Sequence, residues 1–491
     1  MPEPADVPTP KPAGARALEA LTAGNLQAAQ QLAAQALQAN KADPDALTVI
    51  GRIRLFQGQL ATAEQVATAA LQTAPTHHGA RMLSAYILAQ RGDTEASVRL
   101  TDALLSDHPG DREALEHKAA TLERAGRRDE ALAALGNLGQ ERTPAARITE
   151  ARSQVSGGDP TAALATIDST LADDEATPRR QYHLHMLRAK ALDKLERYDE
   201  AFAAADAGNR LAMPQPFDTK GIAARVDAVI ATFSEELFAK LPRATTAQRS
   251  HVFIAGFPRT GTTLVEQILD AHPDAAGVGE AKELEILASR LQQAMNAFVA
   301  YPACAQYLTQ PQVDQLALGY EQGIEGQGMA AAQTLVNKNL NNLVHLGMAA
   351  LLFPGSKVIF TDRDPRDTGI SCFMGTFRPE SMPHLFAIDT IADAMAEFKR
   401  LAQHWKRVLP LEHITVRYED LVRDCDAQTR AIVEHAGLPW DDRCLRFFES
   451  GRTVMTLAYD QVNRPIYDSS VGRHTHYAAH VGPLAALVDN L

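Results

Sequence analysis

The stretch HVFIAGFPRTGTTLVEQILDAHP, residues 251–273, sets an apolar run directly before a glycine-bounded loop and a helical pattern directly after it. HVFIAG (251–256) reads as a buried parallel strand, and Leu264, Val265, Ile268 and Leu269 are spaced to bury one face of a helix. Between them, Gly256 and Gly261 permit backbone conformations that turn successive N–H groups toward one point at the start of that helix. Unpaired N–H donors and the helix dipole favour an anion there; Arg259 adds a full positive charge, and Thr260, Thr262 and Thr263 add hydroxyl donors. A nucleotide triphosphatase would carry Gly-Lys-Ser/Thr where this chain has Gly261, Thr262 and Thr263, with the lysine bridging the outer phosphates and the next hydroxyl holding magnesium. Here the cation stands earlier, at Arg259, so the loop predicts a shorter polyanion handled without a metal.

Two further apolar runs, KVIF (357–360) and ITVRY (414–418), read as strands separated by helical segments, which predicts an α/β domain with a parallel sheet and helices on both faces. KVIFTDRDPRDTGISC places Arg363 and Ser371 eight residues apart, flanking the end of a strand and the start of a helix. An arginine pairs bidentately with phosphate and a serine hydroxyl adds another bond; taken alone the segment also reads as a solvated turn, and its place after a second strand favours a ligand site.

The first half of the chain repeats. Gly24, Gly58, Gly92 and Gly126 fall one every 34 residues, and small residues follow each at Ala29, Ala63, Ala96 with Ser97 beside it, and Ala131. Pro75 and Pro109 stand where a helix should stop. This resembles the tetratricopeptide repeat, a 34-residue helical hairpin whose copies stack into an all-α superhelix. Looser turns around Gly158 and Tyr198 bring the expectation to about six hairpins over 16–214. The concave groove of such an array binds a peptide or protein partner; a spacer or dimerisation role is the alternative. Pro214 and Pro216 mark a break, and GIAARVDAVIATFSEELFAKL (221–241) reads as one amphipathic connecting helix. The expected organisation is a disordered Pro-rich tail over 1–15, the array over 16–214, a connecting segment over 215–247 and the α/β domain over 248–491.

A chain of 491 residues exceeds one ordinary core, and its net charge of −12 argues against a general nucleic-acid or anionic-membrane binder. Any anion site must be local. Cys304, Cys372, Cys425 and Cys444 form no Cys-x-x-Cys pair, so neither a zinc cage nor a disulfide framework is expected, no metal is called, and a reducing cytoplasm fits. No apolar run approaches the roughly 18 residues that span a bilayer.

Together the two anion-binding stretches resemble the sulfotransferases that use 3′-phosphoadenosine 5′-phosphosulfate (PAPS). In that family a P-[KR]-[ST]-G-T-T loop holds the 5′-phosphosulfate, a pattern filled by Pro258, Arg259, Thr260, Gly261, Thr262 and Thr263; an Arg with a Ser eight residues on, here Arg363 and Ser371, holds the 3′-phosphate. The run Leu269–Pro273 followed by Gly279 and Glu280 resembles the tyrosylprotein sulfotransferases and the bacterial tetratricopeptide-linked sulfotransferases, the latter over both halves of the chain. The resemblance implies Glu280 as catalytic base, Lys338 in NKNLNNLVHLG reaching the transferring group, Tyr418 as a nucleotide ligand and Arg473 near the 3′-phosphate. Family members often read Asp-Lys-x-Pro where this chain has Asn337, Lys338, Asn339 and Leu340, a tryptophan where His474 stands, and a serine where Ala458 stands. The implied reaction is sulfuryl transfer to a hydroxyl of a protein, peptide or small-molecule acceptor, protein tyrosine included, by in-line displacement, with a carboxylate made basic by burial. His272 reads as structural, while Glu283 and Glu285 are expected to face solvent. The rivals are a P-loop kinase or triphosphatase, with TDRD supplying the magnesium carboxylate, and a non-catalytic tetratricopeptide adaptor with a retired nucleotide-binding domain.

Overall fold

The computed structural model describes residues 11–139, 142–173, 177–215, 217–325, 332–449 and 468–488. Residues 1–10 of the expected tail, Pro216 and Ala458 lie outside the described residues. Internal contacts divide the chain into two units, Met1–Glu196 and Arg197–Leu491.

In the first unit, helices follow one another from Ala13–Thr22 to Pro178–Lys194 as antiparallel pairs. Gly24, Gly58, Gly92 and Gly126 turn the chain within four of these pairs at φ 79°, 76°, 82° and 76°, a left-handed conformation that side chains resist. Asn25 and Asp93 then cap the following helices, their side chains accepting from the N–H groups of Ala28 and Ala96. The buried small residue is Ser97, in phase with Ala29, Ala63 and Ala131; Ala96 beside it is only partly covered. Ser97 satisfies its hydroxyl by donating to the Ala85 carbonyl at 2.9 Å. The helices Leu60–Thr73 and Thr94–Asp107 end just before Pro75 and Pro109.

Three boundaries differ from expectation. The first helix begins at Ala13, inside the stretch read as tail, because Pro12 starts it and Ala17 is buried. The helix Tyr198–Ala212, read as part of the array, clusters with the second unit: Phe202 stacks on Phe373 at 4.6 Å and Asn209 Nδ2 donates to the Phe373 carbonyl at 2.9 Å. The connecting helix is two helices, Lys220–Thr232 and Glu235–Lys240. Ser234 caps the second by accepting from Leu237 N–H, and Phe233 at the break is fully buried, its carbonyl bonded to His404 Nε2 at 2.8 Å. This segment is core, not connector.

The second unit holds a five-stranded parallel sheet of order β2-β3-β1-β4-β5, with β1 Ser250–Ala255, β2 Ala275–Gly279, β3 Thr334–Asn337, β4 Lys357–Asp362 and β5 Glu412–Arg417. The sequence shows β1, β4 and β5; β2 and β3 are additional. Phe253, Leu335, Val358 and Phe360 pack into the core on one face, and Val252, Ile254, Val336 and Ile359 pack with the helix Thr262–Asp270 on the other. Burial on both faces makes the central strands continuous apolar runs, each such side chain contributing about 1.5–3 kcal/mol. From β1 the chain builds β2 and β3 on one side and β4 and β5 on the other, so the loops after β1 and β4 diverge and leave a crevice at the carboxyl ends of the strands. Among the described residues no helix is long and apolar enough to cross a membrane.

Candidate active site

The loop after β1 wraps Gly256 to Gly261 into the crevice. Arg259 has φ 71° and Gly261 φ 93°, so two left-handed residues bring the chain round onto the first turn of the helix Thr262–Asp270. The cradle is closely fitted. A Cβ on Gly256 would stand 2.0 Å from Thr361 Oγ1 of β4, and one on Gly261 would stand 3.0 Å from the Tyr418 ring. Thr260 donates to the Phe257 carbonyl at 2.7 Å and, with its proton so committed, accepts from Thr361 at 2.7 Å. Cys372 Sγ packs under the loop, 3.5 Å from the Pro258 carbonyl, and burial pushes its thiol up to about 12, so it stays protonated.

The second anion stretch lies against the first. Arg259 Nε donates to Ser371 Oγ at 2.9 Å, joining the two stretches that the sequence separates. Arg363 is buried; its Nη1 donates to the Arg259 carbonyl at 3.1 Å, its Nη2 to the Ser470 carbonyl, and its guanidinium stacks 4.6 Å over the Tyr418 ring. Its Nε has no hydrogen-bond partner among the described residues. Asp367, buried on the helix Pro365–Phe373 that also carries Ser371, accepts from the backbone N–H groups of Gly472 and His474 at 2.7 Å, and bonds His474 Nδ1 at 2.8 Å. The turn carrying Arg473 is thereby tied to the helix that carries Ser371. His474 bonds Asp367 through both its backbone N–H and its ring.

Across the crevice, β2 and β3 end side by side. Glu266 and Asp270, on the helix after the loop, accept from Gly279 N–H and Gly277 N–H at 2.7 Å each and fix the end of β2. Glu280 follows, and its Oε1 lies 2.8 Å from Lys338 Nζ, just after β3. The lysine is the buried partner, 2% exposed, while the Glu280 side chain is 49% exposed. The sequence predicts a buried carboxylate here; its position at a strand end instead leaves it facing solvent, and its immediate partner is a cation. Glu283, expected at the surface, is instead buried beside Gly323, and Glu285 accepts from Asn341 Nδ2 at 3.1 Å. His272 is held at both nitrogens: Nδ1 accepts from Asp274 N–H at 3.1 Å, so Nε2 donates to the Pro439 carbonyl at 2.7 Å.

Asp367, Glu266 and Thr361 support the site without having been singled out in the sequence. The RDPRD run is the one signal that points to Asp367; nothing local marks the other two.

Comparison with known proteins divides the chain after residue 216, so the helix Tyr198–Ala212, although it clusters with the second unit, falls within the repeat match. The Sulfotransferase family model matches residues 251–442, and tetratricopeptide repeat models match residues 15–78, 54–122 and 148–216. An uncharacterised protein of Aquifex aeolicus (strain VF5) is 25% identical over 332 residues, covering 65% of this chain and 43% of that protein. Protein-tyrosine sulfotransferase A of Caenorhabditis elegans is 28% identical over 238 residues, 44% of this chain and 58% of its own length. Protein-tyrosine sulfotransferase of Drosophila melanogaster is 24% identical over 210 residues, 40% of each chain. The chain thus spans about half the length of the curated relatives it matches.

Proposed function

From the premise that the chain joins tetratricopeptide repeats to a sulfotransferase-family domain, we propose that it moves a sulfuryl group from PAPS to an acceptor hydroxyl, a protein tyrosine being the favoured acceptor. One observation carries this reading. An anion cradle at the ends of β1 and β4 and a carboxylate–lysine pair at the ends of β2 and β3 share one edge of a single sheet.

The residues of the cradle fit the donor. Gly256 and Gly261 let the loop pack closely against Thr361 and Tyr418, Arg259, Ser371 and Arg363 gather polar hydrogens on one side of it, and the buried Nε of Arg363 has a bond left to give. When bound, PAPS supplies the sulfuryl group and a bisphosphate leaving group. Tyr418, stacked under Arg363, and Arg473, on the turn tied by Asp367, complete the proposed nucleotide contacts. Pro258 and Thr260 shape the loop, and Thr262 and Thr263 offer backbone and hydroxyl donors to the 5′ end.

Transfer needs fixed positive charge where negative charge develops and a base where the acceptor loses its proton. Arg259 and Lys338 supply the first. Glu280 supplies the second, taking the proton of the attacking hydroxyl as the new O–S bond forms and the bond to the leaving phosphate breaks. A phenol, with an ordinary pKa near 10, asks less of that carboxylate than an aliphatic alcohol does. The repeats hold a partner or the acceptor peptide in their groove.

The test uses Glu280→Gln, which keeps a hydrogen-bond acceptor for the buried Lys338. Labelled transfer to tyrosine peptides should fall by about 10²–10⁴-fold, while calorimetry finds adenosine 3′,5′-bisphosphate bound as tightly as by the wild type and more tightly than AMP. Undiminished turnover would remove Glu280 as base, and equal affinity for the bisphosphate and AMP would remove Arg363 and Ser371 as a 3′-phosphate site.

A further inference from the structure

The Asn-rich run after β3 does more than flank the lysine. The β2–β3 ladder ends at Gly279 and Asn337, with a register shift between Gly277 and Gly279, and its last backbone bond runs from Lys338 N–H to the Gly279 carbonyl at 2.9 Å. Beyond that point the carbonyls of Glu280 and Ala281 lack a facing strand. Side-chain amides take over: Asn339 Nδ2 donates to the Glu280 carbonyl at 3.3 Å and the Ala281 carbonyl at 3.0 Å, and Asn337 Nδ2 donates to the Ala281 carbonyl at 3.3 Å.

These amides are themselves fixed. Asn337 Nδ2 also donates to the buried Tyr320 hydroxyl at 2.9 Å, and Asn337 Oδ1 accepts from Asn339 N–H at 2.9 Å and Asn342 Nδ2 at 3.1 Å. Asn342 Nδ2 reaches on to the carbonyl of Ile254 in β1 at 3.1 Å. Asn339 Oδ1 accepts from Asn341 N–H at 2.8 Å. Asn337, Asn339 and Asn342 are all buried, so their geometry is set by hydrogen bonds that water does not contest.

We propose that Asn339 is a positioning residue whose carboxamide, oriented through Asn337, extends the β2–β3 ladder by one neutral rung and so fixes the Glu280–Lys338 pair. The proposal rests on the assignment of Glu280 as base. A neutral donor suits the place: a cation there would compete with Lys338 for the Glu280 carboxylate, and a carboxylate would repel two carbonyls.

Asn339→Asp tests this, since it retains the acceptor for Asn341 N–H and loses both donors to the β2 end. The expected result is a fall in kcat of about tenfold or more, as small displacements of a reacting group cost, with adenosine 3′,5′-bisphosphate affinity within about twofold of wild type. Lys338, 2% exposed in the native pair, should react several times faster with acetic anhydride, read by peptide mass spectrometry. Asn341→Ala, which loses only a bond to Glu285, should change neither. Wild-type kcat and wild-type acetylation in Asn339→Asp would overturn the proposal. Absence of transfer in the wild type would instead sink the sulfotransferase reading, and the acetylation comparison would still decide the role of Asn339. Asn339→Ala, which sets no charge against the carbonyls, serves should the aspartate variant not fold.

Discussion

Glycine does two different jobs in the two units. At Gly58 the backbone sits at φ 76° and a Cβ would meet nothing within 4 Å, so the residue is required for conformation alone. At Gly256 the surroundings leave no room, because Thr361 Oγ1, Thr260 Oγ1 and the Thr361 carbonyl would stand 2.0, 2.8 and 3.0 Å from a Cβ. A conformational requirement recurs with the turn that imposes it and is visible as a period. A volume requirement is set by a strand far along the chain, so the sequence shows the glycine without the reason for it.

The comparison breaks most readily at Gly256. Gly256→Ala should destabilise the second unit by about 1–3 kcal/mol through overpacking and weaken adenosine 3′,5′-bisphosphate binding at least tenfold by calorimetry. Gly256→Ala with Thr361→Ala should recover part of both. Unaltered binding in the single variant would mean that the loop is loosely held and the contrast with Gly58 false.

Acid sharpens the contrast from the side of the repeats. His117 is 4% exposed, bonded to Ser97 at 3.0 Å and set edge-on to Tyr86 at 4.3 Å; burial, with Arg124 adding to it, pushes its imidazole down to about 4. Between its ordinary value near 6.5 and about 4, the unfolded chain takes up a proton that the folded repeat refuses. Stability is therefore full above 6.5 and falls as pH drops through that window, by up to about 1.4 kcal/mol per pH unit. Urea titrations followed by helical circular dichroism should show this slope reduced by about one proton in His117→Gln; an unchanged slope would assign it elsewhere.

Gly58→Ala should have the smallest effect, about 1 kcal/mol from the left-handed turn, seen as faster hydrogen exchange in the hairpin 44–73. Bisphosphate binding should be untouched. A loss of binding comparable to that of Gly256→Ala would abolish the distinction.

Legibility in the sequence follows the same line. The four glycines in phase, the apolar runs of β1, β4 and β5, and the Gly256–Thr263 loop are local signals and were readable. β2, whose sequence is AAGVG, has a single branched side chain, Val278, among small residues, and β3 has only four residues. The turn at Glu196, left-handed at φ 60°, carries no glycine to announce it. The Arg259–Ser371 bond, the burial of Glu283 and the exposure of Glu280 depend on which strand ends meet, and no spacing along the chain encodes that.

Arg259 adopts φ 71° where glycine would rest without strain. For a side chain that conformation costs about 1–2 kcal/mol, and the same residue provides the guanidinium that reaches Ser371. A glycine there would relax the backbone and erase the charge in a single step. Selection for thermal robustness alone would therefore drift toward a sturdier protein without the proposed anion ligand, and a variant library screened only for melting temperature should be expected to lose this arginine early.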